Sequence, residues 1–445
     1  MMEENISAIS TAPLASGVAI IRISGNSPLE IAEKMFKCKT PISSFEPYKM
    51  YVGIIDGGNI KDFGMCVYFK APKSYTGEDM VEFHCHGGVA ISRAILKKTL
   101  ELGCRLAERG EFTRRAFLNG KMSLSSCEGL VDMINAESEA QAKMGFYLYR
   151  EKLLNKIISI QKDLKYVLAL IDANIDYPEE DIEFAEYDKI KASLLNAKNQ
   201  IVPLLNSFNG ASKIKNGVNI AICGKPNAGK SSILNAILDC DKAIVTNIEG
   251  TTRDVVEGSK IIEDIKFNFY DTAGIRESDN VIEQMGIEKS KKIIDTADIV
   301  LLILDGESEP TDKDRELLDL LKGKNLIVVV NKLDKLCKAY ENLGDIYVSA
   351  KTLENIDSLE KLIVKKANLS SLSTDGDFLT EERHYIALDN ALKDLDKALA
   401  TIDTYPLDLV SVDIKSAWRE LGLISGETCD EAVISEIFAK FCVGK

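Results

Sequence analysis

Residues 224–231 read GKPNAGKS, the pattern GxxxxGK[ST], between a strand-like run, VNIAIC, and a helical one, SSILNAIL. In that context the glycines let backbone N–H groups turn inward around phosphate oxygens, at the positive end of a helix dipole. Lys230 can then reach the β- and γ-phosphates as a catalytic cation, and Ser231 can ligate Mg2+, with Asn227, Ala228, Gly229 and Ser232 completing the cradle. Further along, Asp271-Thr272-Ala273-Gly274 follows a strand, so Asp271 can hold Mg2+ through water and Gly274 can donate its N–H to a γ-phosphate. Asn331-Lys332-Leu333-Asp334 follows the apolar run LIVVV. A carboxylate there accepts from both N1–H and the 2-amino group of guanine; adenine offers neither donor and would leave the acid unpaired. Ser349-Ala350-Lys351 follows the next strand and would back the base. Four motifs in this order, each on a suitable element, imply GTP rather than ATP.

Between the first two motifs lies Thr246-Asn247-Ile248-Glu249-Gly250-Thr251-Thr252-Arg253-Asp254, a segment placed to act as a first switch that closes over the nucleotide. Thr252 is the expected Mg2+ ligand, with Thr251 as competitor. After Gly274, where Ras-type enzymes carry a water-orienting glutamine, stands Ile275, which can neither donate nor accept. Arg276, Glu277, Asp279, Glu283, Gln284 and Glu288 are the candidates to replace it, and spacing does not choose among them.

Length alone, 445 residues, implies two to four domains. Residues 1–119 mix strand-like runs (AIIRIS, MCVYFK, MVEFHC) with one helical stretch, and read as an α+β domain. Residues 120–215 turn helical: Leu153, Ile157, Ile160, Leu164, Val167 and Ile171 step by three and four. Residues 216–370 alternate strand and helix, as a mostly parallel, doubly covered sheet does. Residues 371–445 are helical again, with Tyr385, Leu388, Leu392, Leu395, Leu399 and Ile402 on one face, and end in FCVGK. The economical arrangement is a multidomain chain: an α+β domain, then an α-helical bundle into which a Ras-like α/β P-loop GTPase domain is inserted, so that the two helical segments pack together.

Net charge is −14, which argues against non-specific coating of nucleic acid, yet residues 93–121 hold eight Lys/Arg against three Glu. Residues 176–188 do the reverse, with seven acids and no base. Ten scattered cysteines without CxxC pairs, an N-terminus unlike an export signal and the lack of an 18-residue apolar run imply reduced thiols, a cytoplasmic location and no membrane span. His84, Cys85 and His86 alternate faces on a strand, so no transition-metal site is expected there.

The segments GKPNAGKS, GTTRD, DTAGIRES, NKLD and FCVGK, with AIIRISG, the HGG turn at 86–88, LNGKM at 118–122 and LGLISGE at 421–427, together resemble the tRNA-uridine-modifying GTPases called MnmE or TrmE. Cys85 stands where that family is expected to carry a glycine before HGG. The resemblance implies that Glu283 orients the attacking water through a second water. It implies a K+ ion held by Asn227, Thr246, Ile248 and Thr251, taking the place of an arginine finger, a device worth ~10³–10⁵ in rate. Arg253 and Arg276 are lower-ranked alternatives to the ion. It further implies a homodimer and an FAD-containing partner, MnmG (GidA), in a hetero-oligomer. The chemistry implied is addition of an aminomethyl or carboxymethylaminomethyl group to C5 of the wobble uridine of certain tRNAs. Arg22, Glu82, Lys121 and the terminal Lys445 would bind 5-formyl-tetrahydrofolate, and Cys442 would act as a nucleophile or redox group. For Arg22 and Glu82 an internal salt bridge is the competing reading; for Cys442, packing of the tail. The alternative for the whole chain is a GTPase switch in ribosome or RNA-particle assembly with no modification chemistry.

Overall fold

The computed structural model describes residues 4–176, 184–239, 258–271, 291–337, 343–369, 377–426 and 430–445. The chain divides into two compact units: Met1–Val131, Gly145–Lys198 and Ala387–Lys445 form the first, and Asp132–Met144 with Asn199–Ile386 the second.

The first unit begins with β1 (Ile6–Ile9), β2 (Ser16–Gly25), α1 (Pro28–Met35), β3 (Phe36–Lys37), β4 (Met50–Asp56), β5 (Lys61–Phe69), β6 (Asp79–Gly87), α2 (Val89–Glu101), β7 (Arg105–Leu106) and α3 (Glu111–Leu118). The strands form one sheet in the order β3-β4-β5-β6-β2-β1-β7, antiparallel except for the β1–β7 pair. Period-two alternation sends Ala19, Ile21 and Ile23 of β2 into a core with Met35, Phe83 and Ile95, and leaves Arg22 on the opposite face beside its cross-strand partner Glu82. On that face α3 brings Phe112 against Ile6 and Ala8.

The helical part contains α4 (Leu124–Asn135), α5 (Glu139–Tyr149), α6 (Lys152–Asp176) and α7 (Phe184–Asn216). In α6 the six residues picked out by their spacing are all fully buried. Their partner lies beyond the α/β unit in sequence: α6 packs on the helix Leu407–Ser425 (α12 below), and Gln161 donates from Nε2 to the Trp418 carbonyl at 3.2 Å. Lys198 and Asp396 pair at 2.6 Å, as do Lys191 and Asp403. The two helical segments thus pack together and the α/β unit is an insertion between them.

In the second unit β8 (Val218–Gly224), α8 (Lys230–Asp239), β9 (Gly258–Ile262), β10 (Ile265–Asp271), β11 (Ile299–Asp305), α9 (Asp312–Leu320), β12 (Leu326–Asn331), β13 (Ile346–Tyr347) and α10 (Ile356–Ala367) follow in order. The chain closes with α11 (Glu382–Thr401), α12 (Leu407–Ser425) and α13 (Glu431–Ala439). The sheet order is β13-β12-β11-β8-β10-β9, parallel except at the β9–β10 hairpin. Burial on both faces explains why β11 and β12 are near-continuous apolar runs and β8 is broken only by Asn219.

The β9–β10 turn places Glu263 and Asp264 both at positive φ, 49° and 64°, the backbone that a two-residue hairpin demands. There the Asp264 carboxylate accepts from the N–H groups of Glu139 and Ala140 at 2.7 and 2.8 Å, satisfying the first turn of α5. Lys266 and Glu137 pair at 2.8 Å beside it. Lys215, near the end of α7, lies 2.9 Å from Asp132 and also pairs with Glu381, so two carboxylates share one ammonium. Burial pushes the Asp132 carboxyl up to about 7 from an ordinary 3.8; Lys215 opposes the shift and Glu381 adds to it.

The folded chain therefore keeps a proton on Asp132 where the unfolded chain has lost it. Stability of this unit is expected to fall as pH rises from about 4 to about 7. Thermal midpoints across that range should show the slope in the wild type and a flatter one in Asp132→Asn.

Candidate functional site

The carboxyl ends of four parallel strands meet at one edge of the α/β sheet. Gly224 ends β8 level with Ile303, Asp271 ends β10 level with Ile222, and Asp305 and Asn331 end β11 and β12 side by side. This is the edge at which open α/β sheets bind ligands. The loop after β8 turns through Gly224, Asn227 and Gly229 at φ 142°, 65° and 91°. A Cβ on Gly229 would stand 2.2 Å from Asn331 Nδ2, so only glycine fits there. Lys230, buried at the start of α8, folds its ammonium onto the carbonyls of Gly224 and Lys225 at 2.9 and 2.8 Å. Ser231 Oγ donates to Asp271 Oδ2 at 3.1 Å. Two hard oxygen donors so close suit Mg2+. Ala228 is buried, while Ser232 is exposed at the helix start. Burial pushes the neighbouring Cys223 thiol up to about 12, so it is no nucleophile.

Asn331 ties the two sides of this edge together. Its Nδ2 donates to the Ala228 carbonyl at 3.0 Å, and its Oδ1 accepts from the Ala350 N–H at 3.2 Å. Fully buried Ser349 donates from Oγ to Asp334 Oδ1 at 2.8 Å and accepts from the Thr352 N–H. Asp334 is therefore held in place through Oδ1, and its Oδ2 has no hydrogen-bond partner among the described residues. Lys332, at a left-handed φ of 64°, pairs with Asp305 at 2.8 Å and Glu307 at 3.2 Å. The Asp305 hydrogen bond is the main reason its ammonium is held above the usual lysine range. Lys351 is exposed at the rim. The bridging by Asn331, the Ser349–Asp334 bond and the pairing of Lys225 with Asp314 were not readable from motif spacing.

In the first unit Arg22 Nε donates to Glu82 Oε1 at 2.8 Å, and its guanidinium lies over the rings of Tyr75 and Phe112. Burial pushes the Glu82 carboxyl up, but His84 and Arg22 outweigh it and hold the group below its usual range. Lys121 Nζ donates to the Pro72 carbonyl at 3.0 Å, on the loop that carries Tyr75. The C-terminal tail seats on the same unit. Phe441 is buried with Leu124, Cys127 and Phe438. Val443 bridges to Arg109, and the Gly110 N–H donates to the Cys442 carbonyl at 3.4 Å. Gly444, at φ 99°, lies so close to Ile9 that a Cβ would stand 2.3 Å from its carbonyl oxygen. Ile9 adjoins Ala8, the strand partner of Arg22. The Cys442 side chain is exposed. His84 turns to Glu82, His86 to Asp62, and Cys85 points into the core.

The basic stretch 93–121 is largely neutralised. Arg105 and Arg115 pair with Glu111, Arg115 also with Glu78, Arg114 with Glu431, and Lys98 with Glu101.

Residues 5–121 match the model of the GTP-binding protein TrmE N-terminus, and residues 124–442 that of the MnmE helical domain. The chain belongs to the MnmE family. The tRNA modification GTPase MnmE of Clostridioides difficile (strain 630) is 39% identical over 458 residues, covering all of both chains. That of Acetivibrio thermocellus is 39% identical over 456 residues, covering all of this chain and 99% of its own. That of Alkaliphilus oremlandii is 36% identical over 462 residues, again covering both chains. Of the positions singled out in the sequence, Thr246, Asn247, Ile248, Glu249, Gly250, Thr251, Thr252, Thr272, Ala273, Gly274 and Glu283 lie outside the described residues, as do Arg253, Ile275 and Arg276.

Asn331→Asp keeps the acceptor for Ala350 but replaces the donor facing Ala228 with a carboxylate. The change should cost about 1–3 kcal/mol of stability in the α/β unit. A urea titration followed by a probe in that unit measures it; an unchanged midpoint would mean the bridge contributes nothing.

Proposed function

We propose that this chain is a K+-activated GTPase which, with an FAD-containing partner of the MnmG (GidA) type, adds an aminomethyl or carboxymethylaminomethyl group to C5 of the wobble uridine of certain tRNAs in the cytoplasm. The observation that carries this reading is the seating of the tail. Phe441 supplies the buried anchor and Gly444 the close approach, so Cys442 is not needed for packing and is held exposed. A pure RNA-binding switch gives no reason to fix an exposed thiol on a tail seated against Arg109, Gly110 and Ile9.

In the α/β unit Lys230 would neutralise the β- and γ-phosphates, Ser231 would ligate Mg2+ with Thr252, and Asp271 would hold it through water. Backbone N–H groups from Asn227 to Ser232 and at Gly274 would receive phosphate oxygens. Asp334 would accept from the guanine edge while Ser349, Ala350 and Lys351 back it, with Asn331 and Lys332 fixing the loop between them. Asn227 offers an amide oxygen, a donor type that suits an alkali cation, with Thr246, Ile248 and Thr251 completing the cage. When bound, K+ would offset charge developing between the β- and γ-phosphates. Glu283 would orient the attacking water through a second water.

Arg22, Lys121 and Lys445 would meet the carboxylates of 5-formyl-tetrahydrofolate, and Glu82 a polar edge of its pterin. The exposed apolar row Met50, Val52, Ile54 of β4 with Phe63 of β5 supports a homodimer through the N-terminal sheet.

Nucleoside analysis of tRNA from cells lacking the gene should show loss of the C5 substituent. Cells carrying Cys442→Ser should show the same loss while the purified variant hydrolyses GTP at the wild-type rate; persistence of the substituent would make the thiol a packing residue. GTP turnover should rise strongly in K+ over Na+ at equal ionic strength, and equal rates would remove the cation from the account.

A further inference from the structure

Exposed aromatic rings and bases cluster where α5 ends and α6 begins, and the solvent face of α6 carries more of both. Phe146 and Tyr149 are 49% and 39% exposed, and their rings stack with centroids 6.4 Å apart at 25°. The Arg150 guanidinium lies 5.9 Å from the centre of the Phe146 ring, and the Lys152 ammonium 5.9 Å from that of Tyr147. Along α6 the buried stripe of Leu153, Ile157, Ile160 and Leu164 fixes the opposite face as solvent-facing. That face carries Lys152, Ile158, Lys162, Lys165 and Tyr166, the last 59% exposed. From Lys152 to Tyr166 it runs about 21 Å at helical rise.

From Arg150 to Lys165 there are five bases against two acids, a local excess of +3 in a chain of net −14. One of the acids, Glu151, accepts from Ser126 Oγ at 3.0 Å. Lys162 and Lys165 enter no ion pair among the described residues, whereas the bases of 93–121 are mostly matched to carboxylates. Large rings left in water beside positive charge suit a polyanion whose bases stack, and every unpaired base offers a ring face. A duplex hides those faces and would use only the charges.

We propose that this surface binds the unpaired bases of an RNA loop, with Phe146, Tyr149 and Tyr166 as stacking platforms and Arg150, Lys152, Lys162 and Lys165 as backbone contacts. It rests on the reading of the chain as a tRNA-acting protein and names where on this chain the RNA lies.

Fluorescence anisotropy on the full-length protein tests it, with a labelled anticodon stem-loop RNA and a blunt duplex RNA of equal length. The wild type should prefer the stem-loop. The double variant Phe146→Ala/Tyr149→Ala should bind the stem-loop at least ~5-fold more weakly, with duplex binding nearly unchanged. Lys162→Glu/Lys165→Glu should weaken both and flatten the salt dependence by about 0.7 of a log unit per lost contact. Wild-type GTP turnover and thermal midpoint in each variant verify the fold, and Tyr166→Ala alone provides a milder second probe. Unchanged stem-loop affinity in the aromatic variants overturns the proposal, as does a wild type that binds no stem-loop. Loss of capture of the flavin-containing partner with RNA affinity intact also overturns it, making the surface a protein interface. If the surface fails while cells lacking the gene still lose the modified uridine, the proposed activity stands without it. If tRNA nucleosides are unchanged in those cells as well, both fall.

Discussion

Everything in the α/β unit depends on the parallel register of four strands. Because β8, β10, β11 and β12 run the same way and are buried on both faces, their carboxyl ends meet at one edge. Gly224, Asp271, Asp305 and Asn331, which span more than a hundred positions in sequence, become neighbours there. A one-residue slip in any strand would turn its end residue to the other face of the sheet and dismantle the site. The apolar runs that specify the register are therefore as much a part of the site as Lys230 or Ser231.

Strand β10 shows how closely site and scaffold are joined. At one end Asp271 accepts from Ser231; at the other, the hairpin residue Asp264 receives the first N–H groups of α5. Only the strand residues Ile265 to Tyr270 separate the two carboxylates. Asn331 does the same work across the sheet, holding the phosphate loop to the loop after β13 through one amide. In the first unit the comparable constraint is Gly444, whose missing side chain lets the tail approach Ile9.

The sequence was most legible where geometry is local. Buried parallel strands read as largely apolar runs, so β8, β11 and β12 were visible directly and β10 despite Lys266 and Asn268, and the phosphate loop announces itself by spacing. That the two helical segments pack together could be expected from apolar faces on either side of the α/β unit; that α6 packs on α12, when the face marked in the sequence lies on α11, could not. What could not be read were contacts whose partners are far apart in sequence. Nothing near Asp264 points to Glu139, and nothing near Ser349 points to Asp334. The charge count over 93–121 could not show its neutralisation for the same reason: Glu78 and Glu431, which pair with Arg115 and Arg114, lie outside the window. The two-residue strands β3 and β7 are too short to carry a period at all.

The central claim is that this strand-end edge is built for guanosine triphosphate, with Asp334, held by Ser349, reading the base. Competition of GTP, ITP and ATP against a fluorescent GTP analogue tests it most directly. ITP keeps N1–H but lacks the 2-amino group, and ATP lacks both donors. The account predicts GTP tightest, ITP weaker by about 10-fold or more for one lost bond to a carboxylate, and ATP far weaker still. Equal competition by GTP and ITP, or binding of ATP on a par with GTP, would contradict it.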